Sequence, residues 1–229
     1  MKKVFFGICF VSVLFYLNRG GGEESIENET SDRRTDTSLI CNDRTEGLAP
    51  FLAEYATGIE SEPDKWMYSN KASDYKDCSG MFIRLCEALS EVTCDKYLFP
   101  GRTFHSSRAL AAWYYRQGEL QVITKPMESS DLIQVGQVMF YGQPGTKTPK
   151  RLTIDMLSGG SQQGLVGHVG VVVAVDRTEE GELEAYTIYH GRSSGKPAAR
   201  SIIRKAQNPD FGNWGQPWLA VGPILINNN

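Results

Sequence analysis

Cys78 stands where the chain changes from a loop to a helix, and this position can turn a thiol into a nucleophile. At a helix N-terminus, unpaired N–H groups and the positive end of the macrodipole favour the thiolate. The small residues Ser79 and Gly80 leave room for a substrate carbonyl beside backbone N–H donors, as an oxyanion hole requires. We therefore predict that Cys78 is a catalytic nucleophile. The alternative, a small buried hydrophobic residue, describes Cys86 on the same helix face.

Two of the chain's 3 histidines can supply the proton chemistry that such a cysteine needs. A cysteine nucleophile requires an imidazole to take up its proton, and that imidazole requires an orienting partner. His168 begins one predicted strand and His190 ends the next, and a turn near residues 179 and 180 places the two rings almost opposite each other. We predict His168 as the base and His190 as the group that fixes its tautomer. His105 is predicted to lie at a helix cap.

The same three side chains also have the atom types of zinc ligands. Cys78, His168 and His190 would give one sulfur and two nitrogen ligands. The chain has no local CxxC or HxxxH element to anchor such a site. Thiol catalysis is therefore the preferred interpretation.

The hydrophobic pattern changes from helical spacing to alternation along the chain, which predicts an α+β fold. Helices are predicted over residues 48–59, from Cys78 onward, and over 106–118. Strands are predicted over residues 135–141, 168–175, 183–190, 201–204 and 218–226. Alternation in the second of these strands would put Val169, Val171, Val173 and Val175 on one face. The polar, glycine-rich stretch 146–167 has no clear period.

The N-terminal segment predicts export. Residues 1–22 combine two lysines with an apolar run that ends at Leu17, as in a signal peptide or an N-terminal membrane segment. Residues 23–45 are polar and acidic, which indicates a tether, and residues 46–229 form the predicted folded domain. We expect the protein in the periplasm, in the cell envelope or secreted. The spacing leaves the disulfide state of Cys41, Cys86 and Cys94 open.

The composition is that of one globular domain with additional segments. The 229 residues are 41% hydrophobic and 22% charged, so a single buried core is feasible. The formal net charge of -3 argues against nucleic-acid binding by bulk charge, because counterion release needs a concentrated basic surface. Five cysteines are too few for a disulfide scaffold.

These residues resemble the NlpC family of papain-like cell-wall cysteine peptidases over about residues 46–229. The resemblance rests on Asp77-Cys78-Ser79-Gly80-Met81, then Gly167-His168-Val169-Gly170-Val171-Val172, then His190. It implies a papain-like fold, in which the helix that bears the cysteine packs on an antiparallel sheet that bears the histidines. Tyr68 and the aromatic residues around it occupy the place of the family's Tyr-rich segment before the cysteine.

The resemblance also implies an activity. It is the hydrolysis of an amide in the peptide stem of bacterial peptidoglycan, of the γ-D-glutamyl–diamino acid endopeptidase type, with no cofactor and no metal. Cys78 would attack the carbonyl, His168 would act as base and then acid, and His190 would orient His168. Tyr75, Asp77 and Ser79 would line the substrate side of the nucleophile, although Asp77 also suits a helix cap.

The expected partners are stem peptides and no nucleic acid. Membrane contact is expected only through an uncleaved N-terminal segment, and the protein is expected to be a monomer. Two other functions remain open from the sequence. The same three residues would serve an exported amidase or acyltransferase on another amide, such as the N-acetylmuramoyl–L-alanine bond. In a protein of a different class, an inactive wall-binding module, Cys78 would serve only for packing.

Overall fold

The helices begin where apolar residues recur at helical spacing. In the computed structural model, which describes residues 47–93, 96–145, 153–158, 165–208 and 210–227, the α-helices are α1 (Leu48–Glu60), α2 (Cys78–Thr93), α3 (Ser107–Arg116) and α4 (Ile154–Ser158). The first three confirm the predicted helices. Ser106 caps α3, because its side chain accepts a hydrogen bond from the Ala109 N–H.

The strands form one large and one small antiparallel sheet. In chain order they are β1 (Tyr97–Leu98), β2 (Gln121–Val122), β3 (Gln137–Gly142), β4 (Val166–Arg177), β5 (Leu183–His190), β6 (Ala199–Arg204), β7 (Trp218–Pro223) and β8 (Leu225–Ile226). The large sheet has the order β2-β7-β3-β4-β5-β6, and β1 pairs with β8. This arrangement confirms the α+β class. The predicted strand over 218–226 is wrong as a single element, because it divides at Ile224 between the two sheets.

The large sheet separates two hydrophobic cores. One core lies between the sheet and helices α1, α2 and α3, where Leu52, Leu85 and Leu110 share a cluster with Val169 and Val171. The other core lies on the opposite face and is built on Met139, Tyr141, Val172, Tyr186, Ile188 and Trp218. Because β4 and β5 are the strands that α2 contacts most closely in the sheet, the helix that begins with Cys78 is held against the strands of both histidines.

A bulge in β4 changes which residues share a face. The pairing of β4 with β5 shifts register between Val172 and Ala174. A bulge inserts one unpaired residue and reverses the alternation beyond it. Val175 therefore packs against the second core, and the prediction that it lies with Val169 is wrong.

Several predictions lie outside the described residues. They include the segment 1–22, the tether 23–45, and the disulfide partners considered for Cys41 and Cys94. Cys78 and Cys86 are described, and both are free thiols. No helix within the described ranges is long and apolar enough to cross a membrane.

Candidate active site

The start of α2 is fixed by a network of polar contacts. Asp77 Oδ1 accepts a hydrogen bond from the Gly80 N–H at 2.6 Å, which confirms Asp77 as the N-cap. The Ser79 hydroxyl lies 3.0 Å from the same oxygen and 2.6 Å from the carbonyl oxygen of His105. Ser79 is only 1% exposed, so its side chain ties the helix start to the chain before α3. His105 precedes the N-cap of α3, as the predicted cap position requires.

Cys78 is the first residue of α2, and its backbone is pressed against the end of β5. A Cβ atom added at Gly191 would lie 2.5 Å from the Asp77 carbonyl oxygen and 2.8 Å from the Cys78 nitrogen. The residue after His190 must therefore lack a side chain for the helix to approach this closely. Cys78 as a residue is partly exposed, but its sulfur is enclosed, and the backbone N–H of Val169, the residue after His168, points at it.

The two predicted histidines are in direct contact. His168 Nε2 lies 2.7 Å from His190 Nδ1, and the rings meet edge to face with centroids 4.8 Å apart. Both side chains are buried, at 5% and 4% exposed. On its other side, His190 Nε2 lies 2.9 Å from the hydroxyl oxygen of Ser201 in β6. The three side chains therefore form a continuous hydrogen-bonded line across β4, β5 and β6.

This contact is made at a register different from the predicted one. Val171 pairs with Tyr189, and the next pair along the ladder sets His190 opposite Gly170, whereas His168 pairs with Tyr141 on β3. A Cβ at Gly170 would lie 3.3 Å from the Cβ of His190. The glycine leaves space beside His190, whose ring contacts the ring of His168 two residues away along β4.

The contact with His190 leaves one nitrogen of His168 available for chemistry. Because Nε2 is engaged by His190, Nδ1 is the atom that remains to accept a proton. No hydrogen bond joins the Cys78 thiol to either imidazole among the described residues. The thiol lies beside the residue that follows His168, and its backbone lies against the residue that follows His190. Nucleophile-to-base contacts of this kind are often loose in the absence of substrate.

Burial keeps these groups uncharged. It raises the pKa of the Cys78 thiol to about 12, with the charge of Asp77 acting in the same direction. The N–H groups of Val169, Ser79 and Cys78 itself oppose this rise but do not cancel it. Burial lowers the pKa of His168 to about 4 and that of His190 well below its usual range. At neutral pH the site therefore holds a thiol and two neutral imidazoles, and the thiolate expected from the helix position does not form at rest.

Two tyrosines lie near the start of α2. Tyr75 has a left-handed φ of 49°, its carbonyl oxygen accepts a hydrogen bond from Arg84, and its ring lies under the Arg102 guanidinium at 5.0 Å. Burial raises the pKa of the Tyr68 hydroxyl, and Tyr68 lies close enough to Asp77 and Cys78 for a negative charge on either of them to act in the same direction. Tyr68 is therefore a neighbour of the thiol, although it lies ten residues before Cys78 in the chain.

A cavity of about 280 Å³ opens beside the two histidines. Besides His168 and His190, the lining includes Arg192, Lys196, Asn213 and Trp214. Sequence reasoning missed this cavity, because its walls come from the loop after β5 and the turn before β7, which are distant in the chain. Sequence reasoning also did not identify Ser201 as a site residue, although a serine at an inward-facing position of an alternating strand could have indicated one.

Within the described part of the chain, no group of three His, Cys, Asp or Glu side chains is placed to hold a metal ion. Cys86 is 1% exposed and belongs to the helix-side core, where it behaves as a small hydrophobic residue.

No protein-family model, no curated protein and no solved structure matches this chain.

Proposed function

We propose that this protein is an exported cysteine peptidase that hydrolyses an amide in the peptide stem of bacterial peptidoglycan, of the γ-D-glutamyl–diamino acid endopeptidase type. The observation that carries the proposal is the 2.7 Å contact between His168 Nε2 and His190 Nδ1, made beside the start of the helix that bears Cys78. The motif resemblance supports the choice of substrate, and the predicted export segment and acidic tether agree with a wall polymer.

The reaction begins from a neutral thiol. As Cys78 Sγ attacks the scissile carbonyl carbon, His168 Nδ1 takes up the thiol proton, and the developing imidazolium keeps its hydrogen bond to His190. The N–H groups of Cys78 and Ser79 point at the sulfur in the free protein, and in the reaction they would stabilise the oxyanion. His168 then returns the proton to the leaving amine, the C–N bond breaks, and an acyl-thioester remains on Cys78.

Water completes the cycle. His168 accepts a proton from the water as its oxygen attacks the thioester carbonyl, and the same proton passes to the departing sulfur. The products are a carboxylic acid, which loses its proton to the solvent at neutral pH, the amine released in the first half, and the neutral thiol. The proton that each half of the reaction transfers thus moves through His168 Nδ1, and His190 serves to hold the ring and to stabilise its charge.

The test is mass spectrometry of peptidoglycan fragments incubated with the full-length chain. The wild type is expected to release products whose masses identify a cleaved stem-peptide bond, and Cys78→Ala is expected to release none above background. Cys86→Ala is the matched control, since it removes the other described free thiol, and it should keep activity at a cost of roughly 1 kcal/mol in stability.

Two outcomes would contradict the proposal. Binding of the fragments without cleavage would indicate a wall-binding module, and cleavage by Cys78→Ala at the wild-type rate would exclude this nucleophile. Product masses that identify the N-acetylmuramoyl–L-alanine bond would keep the mechanism and replace the substrate bond with that of an amidase.

A further inference from the structure

The cavity beside the histidines is positively charged. Arg192 and Lys196, both on the loop that follows β5, line it together with the uncharged Asn213 and Gln216, and no carboxylate is among its lining residues. Within the described ranges, neither cation makes an ion pair, whereas Arg200 and Lys205 on the neighbouring strand and turn are paired with Glu60 and Glu182. The loop therefore presents uncompensated positive charge at the active site, which attracts an anion.

Asn213 adds a hydrogen-bond acceptor that lacks a donor. Its side chain is 2% exposed and its Oδ1 has no partner among the described residues, although its Nδ2 donates to Gln216 Oε1 at 3.0 Å. A buried polar atom without a partner costs roughly 1–3 kcal/mol, so such atoms need an explanation. Since Asn213 lines the cavity, an N–H group of a bound molecule would satisfy this oxygen.

Trp214 gives the cavity an apolar wall, and its backbone has a strained conformation. It lies in a tight turn in which Asn213 and Gln216 exchange backbone hydrogen bonds, and its φ of 49° is unusual for a bulky residue. Its side chain is 77% exposed, so core packing does not explain the conformation. Strained residues cluster at ligand sites, and an exposed indole at a cavity rim covers the apolar part of a ligand.

We propose that this cavity is a subsite for a substrate residue that carries a free carboxylate next to an amide N–H. Arg192 and Lys196 bind the carboxylate, Asn213 Oδ1 accepts the N–H, and Trp214 covers the aliphatic carbons between them. The volume of about 280 Å³ is at the lower end of small-molecule sites, as expected for one residue of a peptide. The inference rests on the proposed function for its link to cleavage, but the binding site itself does not depend on catalysis.

Two carboxylates of a stem peptide have this chemistry, one on the acyl side of the scissile bond and one on the amine side. The first experiment measures kcat and KM of the full-length chain on a γ-D-glutamyl–diamino acid stem peptide and on two analogues in which each carboxylate is amidated in turn. Amidation of the carboxylate that occupies the cavity is expected to raise KM about tenfold, as the loss of a charge-assisted hydrogen bond predicts. Amidation of the other carboxylate should change KM less than threefold.

Variants of the cavity residues then test whether the cavity causes this difference in KM between the carboxylate and carboxamide peptides. The double variant Arg192→Gln/Lys196→Gln is expected to raise KM for the carboxylate peptide about tenfold. It should leave KM unchanged for the peptide that is amidated at the carboxylate bound in the cavity. The preference of the protein for the carboxylate over the carboxamide should therefore disappear. Lys125→Gln, which removes an exposed lysine outside the cavity, is the matched control and should preserve the preference. A double variant that keeps the full preference, or a wild type that does not distinguish the three peptides, would overturn the proposal.

A binding measurement separates failure of the subsite from failure of the proposed function. N-acetyl-D-glutamate carries both a carboxylate and an amide N–H, and calorimetry of the full-length chain should show saturable binding that weakens with added salt and at least fivefold in the double variant. Its diamide should bind more weakly than the diacid. Such binding without peptide hydrolysis would keep the subsite and reject the peptidase, whereas absence of binding to the wild type would reject the subsite even if peptides are cleaved.

Discussion

At the scale of single residues, the line from Ser201 through His190 to His168 determines which nitrogen can act as a base. If His190 Nε2 donates its proton to Ser201 Oγ, then His190 Nδ1 is an acceptor and receives the proton of His168 Nε2. The lone pair of His168 Nδ1 is then free to take up the thiol proton. In the proposed mechanism Ser201 is thus a positioning residue, because it would act on the reaction only through the two imidazoles.

Removal of the Ser201 hydroxyl should slow turnover without abolishing it. Ser201→Ala is expected to lower kcat roughly three- to tenfold with little change in KM, because His190 then populates both tautomers. Ser201→Thr keeps the hydroxyl and should lie closer to the wild type. His190→Ala should cost more than Ser201→Ala, and His168→Ala should cost most, since it removes the proton acceptor itself.

Steady-state kinetics on a stem peptide give this order, with thermal unfolding as the check that each variant is folded. The pH profile adds a readout that a purely structural role would not move, because an altered tautomer balance shifts the acid limb of kcat. A Ser201→Ala variant with the wild-type kcat and pH profile would show that the hydroxyl does not position the imidazoles.

At the scale of secondary-structure elements, the site depends on how closely α2 approaches the end of β5. The N-cap Asp77 and the first residue of the helix, Cys78, lie against Gly191 with no space for a Cβ atom. Because the atoms that would be met are backbone atoms, a side chain there cannot be accommodated by a rotamer change. The helix start would have to move away from the strand, and the thiol would move with it.

Gly191→Ala should therefore lower activity strongly. A displacement of about 1 Å at a reacting group can cost roughly a hundredfold in rate, and overpacking destabilises by about 1–3 kcal/mol. Gly101→Ala is the matched control, because φ is -67° there and nothing lies within 4 Å of the added Cβ. Turnover and urea unfolding should separate the two variants, and a Gly191→Ala enzyme with near-normal kcat would mean that the close approach is unnecessary.

The same elements show what the periodicity of apolar residues can and cannot predict. Helical spacing located α1 and α2, and alternation located β4 and β5, because both patterns reflect which side chains are buried. Alternation does not report an inserted residue, so the bulge after Val172 and the resulting face of Val175 were predicted wrongly. The offset between His168 and His190 was not predicted for the same reason, since pairing register depends on bulges and turn geometry as well as on the hydrophobic pattern.

At the scale of the whole molecule, the fold buries the imidazoles of His168 and His190, and this burial makes stability depend on pH. His168 has a pKa of about 4 in the folded protein, compared with about 6.5 in an unfolded chain. Between these two values the unfolded chain binds more protons, so the free energy of unfolding rises with pH. This contribution is fully present above about pH 6.5 and is lost as the pH falls through 4.

The expected loss from His168 is about 3 kcal/mol between pH 7 and pH 4, and His190 acts in the same direction. Urea unfolding at pH 7.0, 5.5 and 4.5 measures it. His168→Gln should flatten the dependence, and His105→Gln, which replaces an exposed histidine outside the buried pair, is the matched control. An identical pH dependence in His168→Gln and the wild type would contradict the assignment of this histidine as a buried neutral base.

The cavity shows what the sequence cannot supply at this scale. Arg192, Lys196 and Trp214 lie in a loop and a turn whose residues follow no period, and only the folded chain brings them beside the histidines. Cys78, His168 and His190 could be selected from the sequence, because each lies near the start or end of a periodic element. The cavity residues could not be selected in this way, because only tertiary packing brings them together.

The most direct test of the account is to trap the acyl group on Cys78. The full-length chain is mixed with a stem peptide, quenched with acid during turnover and digested with trypsin, which separates Cys78 in residues 77–84 from Cys86 and Cys94 in residues 85–96. We predict an added mass equal to the acyl half of the substrate on residues 77–84, and its accumulation should increase in variants that slow the attack of water. Substrate cleavage with no adduct on residues 77–84, or an adduct confined to residues 85–96, would contradict Cys78 as the nucleophile.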